Sequence, residues 1–543
     1  MINAVRNARV WTLVLATLAA TAGVSAQQQT PAPQAPAQQQ AVAPAGQTQR
    51  ADPYIVGQAR PPVVEGTNLV DLSLEQAMVM ALDKNLELKV ARMNPENVDY
   101  QLQGARAAFL PRYTSSYSYN NSLVPSNDTA QGVTTVSTLQ QNFNAGASIL
   151  LPWHGANASA NFTNNRNSTN ALNSRLNPSF GSTLRFSYTQ PLLAGWRMDN
   201  TRNTLRTLSI TRQIADITLL STIENTKASV RTNYWNLRSA IEQIEIQRRS
   251  LALARQFYEE NRIKVEIGTA APIDIVQPEA QVLNAEQAVL AAEIAWRTAE
   301  LNFKRLLASG PDDEIYRATI NPIEQASLAV QSVDIPGAVN GALANRSDIV
   351  TTKRNLEISQ LNLEVTKDLT RPNLNLTAGF NSTGQAGTRF VNGVITEQSG
   401  YFGALSNLTS LLNKGWNAQL DLTLPFGRDV TVNRVNLARA VLSIDQSQAQ
   451  LKAQELTITA EVTNAGLAVE NNFKLLQAAQ KSREAAEKSA AAEQTRFSLG
   501  MSTNYQVLDL QNRLTQARLT ELGRLINYLN AVAEFDRIQR VGR

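Results

Sequence analysis

The 543-residue chain has no cysteine and a single histidine, His154. Thiol nucleophiles, cysteine zinc sites and disulfides are therefore excluded, and a metal site built from several histidines cannot be assembled. The missing cysteine also removes the usual acceptor for a bacterial lipid anchor, so any hold on a membrane must come from the fold itself. Charge is sparse: charged residues make up 17% of the chain and the net charge is +5, with no basic block and no basic-aromatic interleaving. No footprint for nucleic acid is present. No glycine-rich loop carries the lysine and Ser/Thr of a phosphate site. Carboxylates are scattered over helical surfaces rather than gathered in a pocket, so neither catalysis nor a cofactor is expected. Past residue 26 no apolar run reaches the ~20 residues that a transmembrane helix needs.

What is present begins with Arg6, Arg9, an apolar run from Val10 to about Ala20, and Val24-Ser25-Ala26. This pattern reads as a signal peptide over 1–26, with cleavage after Ala26. Residues 27–66 are rich in Gln, Pro and Ala and too poor in large apolar residues to offset their ordering entropy, so a disordered arm is expected. A capped helix starts at Ser73-Leu74-Glu75-Gln76.

From there the chain reads as two copies of one plan, 67–308 and 333–543, with 309–332 between them. Leu82 to Pro111 spans 29 positions, and so does Leu343 to Pro372. Past each proline the apolar period changes from helical to two. Tyr113, Ser115, Tyr117 and Tyr119 alternate with polar residues, as do Leu374, Leu376, Ala378 and Phe380; the returning strands carry Leu184, Phe186 and Tyr188, and Trp416 to Leu424. Either a tilted membrane-barrel strand or a soluble sheet with one buried face gives this alternation. The strand regions fall at about 112–190 and 373–426, joined by Asn/Ser/Thr-rich stretches at about 121–142, 163–178 and 381–410 that read as exposed loops. Pro111 to Pro191 spans 80 positions against 53 for Pro372 to Pro425, which leaves 27 extra residues in the first half. They read as an additional hairpin at about 143–166, turning at Pro152-Trp153-His154-Gly155. His154 is expected to be a turn residue beside Trp153, while Trp153, Trp196 and Trp416 are candidate interfacial anchors or ordinary packing.

Long helices follow each strand region. Val230, Tyr234, Leu237, Ile241, Ile244, Leu251 and Tyr258 keep a 4-3 spacing broken by Arg248 and Arg255, and Val282 to Leu306 keeps it throughout. These are coiled-coil seams. The last helix is apolar on two faces, which suits neighbours on both sides. Each helical stretch is interrupted once, at Lys264–Gln277 (KVEIGTAAPIDIVQ) and at Arg496–Asp509 (RFSLGMSTNYQVLD), where Gly268 and Gly500 suit helix C-terminal turns and Pro272 suits a first helical turn.

The ordered set of leader, helices, strand pair and helical hairpin, given twice, resembles the TolC-type outer-membrane efflux proteins of Gram-negative bacteria. The pieces that carry the resemblance are Ala81-Leu82 with Asn85, Ala342-Leu343 with Arg346-Ser347-Asp348, Gln190-Pro191-Leu192-Leu193, and the two hairpin tips. It implies an α+β membrane protein, in which an outer-membrane β-barrel continues into a long periplasmic α-helical coiled-coil barrel assembled as a homotrimer. The implied function is the exit duct of a tripartite efflux or type I secretion system, passively passing small molecules or secreted proteins outward. Its implied partners are a periplasmic adaptor protein, an inner-membrane pump and outer-membrane lipid. A mixed domain near mid-tube would use about 309–333 and the chain ends. The tips would form the periplasmic mouth, with Asp274, Gln277, Phe497, Gln506 and Asp509 as gate candidates. Gly268, Thr269, Pro272, Gly500 and Ser502 would form the turns and touch the adaptor. Asp274 and Asp509 are equally readable as solvated first-turn acids. The competing class is a periplasmic coiled-coil scaffold or adhesin without a channel.

Overall fold

The structure, a computed structural model, describes residues 59–62, 66, 68–127, 129–325, 333–391 and 394–540. The expected signal peptide, most of the expected arm and residues 326–332 lie outside the described residues.

A short strand, β1 (Leu69–Leu72), leads into α1 (Leu74–Lys84). The Ser73 hydroxyl accepts from the Gln76 backbone N–H while the Gln76 side chain accepts from the Ser73 N–H, a reciprocal cap that fixes the helix start. Asn85 then caps α2 (Leu86–Ala107) through the Leu88 N–H at 3.0 Å, so the two helices meet at a one-residue joint. Pro95 lies inside α2 without ending it. Four strands follow, β2 (Arg112–Pro125), β3 (Thr135–Leu150), β4 (Asn157–Thr169) and β5 (Leu176–Pro191). Next come α3 (Asn200–Glu266), 67 residues and so about 100 Å long, its hairpin partner α4 (Val276–Leu307), the single turn α5 (Glu314–Arg317), and β6 (Thr319–Pro322).

The second succession is α6 (Ile335–Asn345), α7 (Ser347–Leu369), β7 (Asn373–Val391), β8 (Val394–Gln398), α8 (Tyr401–Thr409), β9 (Lys414–Thr423), the 71-residue α9 (Arg428–Ser498) and α10 (Asn504–Arg540). Its opening helices have 11 and 23 residues, against 11 and 22 in α1 and α2. Among the described residues no helix is long and apolar enough to cross a membrane.

One antiparallel sheet runs β2-β3-β4-β5-β7, with β9 on the inner half of β7 and the short β8 on its outer tip. Its register places Tyr113, Ala147, Ala160, Phe186, Phe380 and Trp416 in a single row across six strands. The adjacent row on the opposite face is Arg112, Ser148, Ser159, Ser187, Gly379 and Asn417. The alternation read from single strands therefore adds up, at this level of the sheet, to one apolar and one polar face across all six strands. The additional hairpin is β3 and β4, bonded in register between β2 and β5.

Much of what read as outer loop is strand. β2, β3, β4 and β5 hold 13 to 16 residues and β7 holds 19, more than the about 9–11 that cross a bilayer. Both faces of these extensions are mostly polar, which weakens the period-two signal. The side chains nonetheless bond across strands, as Ser137 to Asn121 at 3.4 Å and Arg166 to Gln141 at 3.3 Å. The stretch 381–410 also contains α8, which lies directly on β7. A Cβ at Gly384 would sit 2.0 Å from the Ala404 carbonyl oxygen, so only glycine lets the helix approach.

The helical seams need one correction. Val230, Tyr234, Leu237, Ile241 and Ile244 are buried as expected, but nearer the tip burial moves one position, to Ala254, Phe257 and Asn261. Arg248 and Arg255, which broke the pattern, instead pair with Glu293 and Glu286 of α4 at 2.8 and 2.6 Å. His154 occupies the turn beside Trp153, as expected, with φ of 53°, and its ring stacks on Trp196 with centroids 4.2 Å apart. Trp196 is thus engaged in the fold, whereas Trp153 and Trp416 are exposed.

Midway along α3, the parallel pair β1–β6 packs against Tyr234, Arg238 and Glu242. Arg238 and Glu242 are buried and paired at 3.0 Å, and Arg238 also donates to the Pro322 carbonyl at 2.6 Å. Glu300 accepts from the Ile320 N–H at 2.9 Å and pairs with Lys304 at 3.3 Å. Buried charges are tolerated here because each is paired with its opposite.

Candidate functional site at the hairpin tips

The first tip forms where α3 stops. Gly268 takes φ of +79°, a conformation that costs other residues about 1–2 kcal/mol. This lets the Thr269 and Ala270 N–H groups turn back to the Lys264 carbonyl at 2.8 and 3.1 Å, and the Thr269 hydroxyl joins them at 2.9 Å. Pro272 then opens a 3-10 turn, Pro272–Ile275, and the Asp274 carboxylate accepts from the Ala271 N–H at 3.1 Å. Gln277 follows, exposed, in the first turn of α4.

The second tip repeats the turn with different side chains. Gly500 has φ of +77°, and the Met501 N–H reaches back to the Arg496 carbonyl at 2.9 Å. Ser502 donates its hydroxyl to Glu493 at 2.5 Å, and Gln506 and Thr503 bond each other's backbone N–H at 3.4 Å to start α10. Asp509 is paired with Arg513 one turn on, at 2.9 Å. The two candidate acids therefore stand differently: Asp274 caps its own turn, and Asp509 shares its charge with an arginine.

The fold brings the tips together. Phe497 meets Phe257 with centroids 5.2 Å apart, over a buried cluster of Phe257, Val507 and Leu508. The Lys264 ammonium lies 4.0 Å above the Phe497 ring, so this residue is a packing hub with a cation on its face. Asn504 donates to the Asp274 carbonyl at 3.4 Å, and Gln281 donates to Asn512 at 2.7 Å. Sequence reading missed Glu493, Phe257, Lys264 and Asn504. Only Phe257 carried a signal, lying one position from the expected seam residue Tyr258.

A family model described as outer membrane efflux protein matches residues 136–309 and 338–538, more than half of the chain. The chain belongs to that family. This efflux protein is accordingly an outer-membrane protein of a channel family. Its fold is similar to that of the CmeC outer membrane channel of Campylobacter jejuni, at 16% identity, TM-score 0.63, and 86% of each chain covered. It is similar as well to the outer membrane protein VceC of Vibrio cholerae, at 13% identity and TM-score 0.62, covering 86% of this chain and 95% of that one. The open state of the MtrE outer membrane channel of Neisseria gonorrhoeae matches at 18% identity and TM-score 0.58, covering 89% and 96%. No curated protein matches the sequence significantly.

Proposed function

We propose that this efflux protein is the outer-membrane exit duct of a tripartite efflux or type I secretion assembly. Three copies close one β-barrel in the membrane and continue it as a periplasmic barrel of helices, through which small molecules or secreted proteins pass without energy input at this step. The observation that carries the reading is the sheet. One face is apolar across six strands, the other is polar, and its two ends, β2 and β9, are open edges. Lipid tolerates no open edge, so such a sheet needs partner strands, and copies of the same chain supply them symmetrically. The helices ask for neighbours too: Val276, Leu283, Leu290, Ile294 and Leu301 form an exposed apolar stripe on α4 at coiled-coil spacing. The two matching element successions are read as an internal duplication, with domains at 67–308 and 333–543.

The hairpin tips are assigned to the periplasmic mouth. Gly268, Thr269, Pro272, Gly500 and Ser502 shape the turns, and the exposed Ile267, Leu499, Met501 and Tyr505 beside them offer apolar contacts to an adaptor. Rings of Asp274 and Asp509 favour cations at the constriction, with Gln277, Gln506 and Phe497 lining or bracing it. Outer-membrane fractionation with gels run before and after boiling tests the whole reading: a heat-modifiable trimer is expected, and a soluble periplasmic monomer overturns it. For the gate, Asp274→Ala should reduce cation selectivity in planar bilayers more than Asp509→Ala, because Arg513 already offsets Asp509. Unchanged selectivity in both variants removes the ring.

A further inference from the structure

We infer that each copy of this efflux protein gives six strands to the membrane wall rather than two from each half, so that the exit barrel has eighteen strands. The inference rests on the trimeric duct proposed above and goes beyond it. The second half supplies two strands at the level of the apolar band, β7 and β9. The first half supplies four, because β3 and β4 are inserted between β2 and β5 with continuous ladders from Tyr113–Ala147 through Ala147–Ala160 to Ala160–Phe186.

Three features make the inserted hairpin part of the wall instead of a plug or an external flap. Its strands take the central hydrogen bonds of the sheet, so that removing them from the plane would leave β2 without its partner and β5 paired on its β7 edge alone. Its side chains obey the same division of faces: Phe143, Ala145, Ala147, Ile149, Ala158, Ala160 and Phe162 lie on the apolar side, and Asn144, Ser148, Ser159 and Asn161 on the polar side. A plug in an aqueous lumen has no use for one apolar face. Its inner turn, finally, is fixed to the end of β5 and the segment that leads into α3. His154 stacks on Trp196, Gln190 donates to the His154 carbonyl at 3.0 Å, and Gly155 has φ of +67°, where a Cβ would lie 3.0 Å from the Gly195 carbonyl oxygen.

Barrel diameter grows roughly linearly with strand number, so eighteen strands make an opening about 1.5 times as wide as the twelve that two strands per half would give. Barrels of 16–18 strands leave an open aqueous channel. The hairpin thus sets the size of cargo that the outer end can pass, bulkier molecules than an equal-halves design would release.

Spin labels on single introduced cysteines test this, since the chain has none of its own. In lipid vesicles, labels at Ala147→Cys and Ala160→Cys should collide preferentially with oxygen, and labels at Ser148→Cys and Ser159→Cys with a water-soluble nickel chelate. The control is Leu420→Cys on β9. Water exposure at Ala147 and Ala160 with Leu420 still in lipid overturns the eighteen-strand wall alone; water exposure at Leu420 as well overturns the membrane-barrel reading beneath it. A chain lacking residues 133–172 joins β2 directly to β5. End-on electron micrographs of its trimer should show a membrane end narrower by about one third, and an unchanged width counts against the inference.

Discussion

Tyr234 is fully buried at mid-helix, where its hydroxyl donates to the Leu72 carbonyl at 3.1 Å and accepts from the Glu324 N–H at 2.9 Å. It ties α3 to both chain segments that make the β1–β6 pair. Tyr234→Phe keeps the edge contacts with Trp235 and Phe303 but strands the Glu324 N–H, while the Leu72 carbonyl keeps the Ile323 N–H at 3.2 Å, and should cost about 2 kcal/mol in denaturant unfolding. Burial pushes the phenol up to about 12, so the folded state holds this proton more firmly than the unfolded one. Its stabilisation is complete below the ordinary tyrosine value and falls as pH rises through about 12, a slope that the phenylalanine variant should lack. Asp313 shows the opposite sign. The Ser309 backbone N–H at 3.2 Å, the Ser309 hydroxyl at 2.9 Å and the Lys84 ammonium at 3.0 Å hold its carboxyl down near 2, against the effect of burial. The stabilisation is present above the ordinary carboxylate range and is lost as pH falls through about 2. Asp313→Asn should weaken the wild-type acid transition and cost about 1–2 kcal/mol at neutral pH, both readable by far-ultraviolet circular dichroism.

At the scale of elements, the tips show what holds four helix ends together. Phe257 is the buried anchor, touching Phe497 from the other hairpin and sharing its cluster with Val507 and Leu508. Phe257→Ala removes an aromatic side chain from a packed site and should cost about 3 kcal/mol. The loss should stay local: hydrogen exchange is expected to rise over 250–275 and 495–510 while 234–246, held by buried residues around its circumference, stays protected. Equal deprotection along α3 would show that the tip is not an independent unit. The turns themselves were legible because glycine, Ser/Thr clusters and proline obey local backbone rules, as Gly268, Gly500 and Pro272 do. Glu493 was not. Its partner Ser502 lies across a turn nine residues on, and Asn504 meets Asp274 across 230 positions, a contact to which no periodicity points. The helical seam failed only where its pattern met Arg248 and Arg255. Charged residues at core spacing are ambiguous until the partners Glu293 and Glu286 are seen on the facing helix.

For the whole molecule, the informative quantity is the row rather than the strand. Period-two alternation in β2, β5, β7 and β9 was readable one strand at a time and, taken alone, suited a soluble sheet better than a membrane wall. Six strands whose register aligns Tyr113, Ala147, Ala160, Phe186, Phe380 and Trp416 extend one apolar face from edge to edge, and no element described here covers it at that level. Strand length was misjudged for a physical reason: where both faces are mostly polar, hydrogen bonding persists but hydrophobic patterning weakens. The same rows fix what assembly must achieve. Among the described residues β2 pairs only with β3, and β9 only with β7, so within one copy their outer edges carry unpaired backbone groups. In the proposed closed ring β2 of one copy runs beside β9 of the next, with polar-face positions such as Ser116 and Gln419 on the two facing strands. A Ser116→Cys, Gln419→Cys double variant treated with a flexible bifunctional maleimide should therefore give covalent dimers and trimers on denaturing gels. Either single variant should remain monomeric, because three-fold rotation keeps like edges apart. Cross-linking of a single variant would mean that like edges face each other, which a ring of this sheet cannot allow.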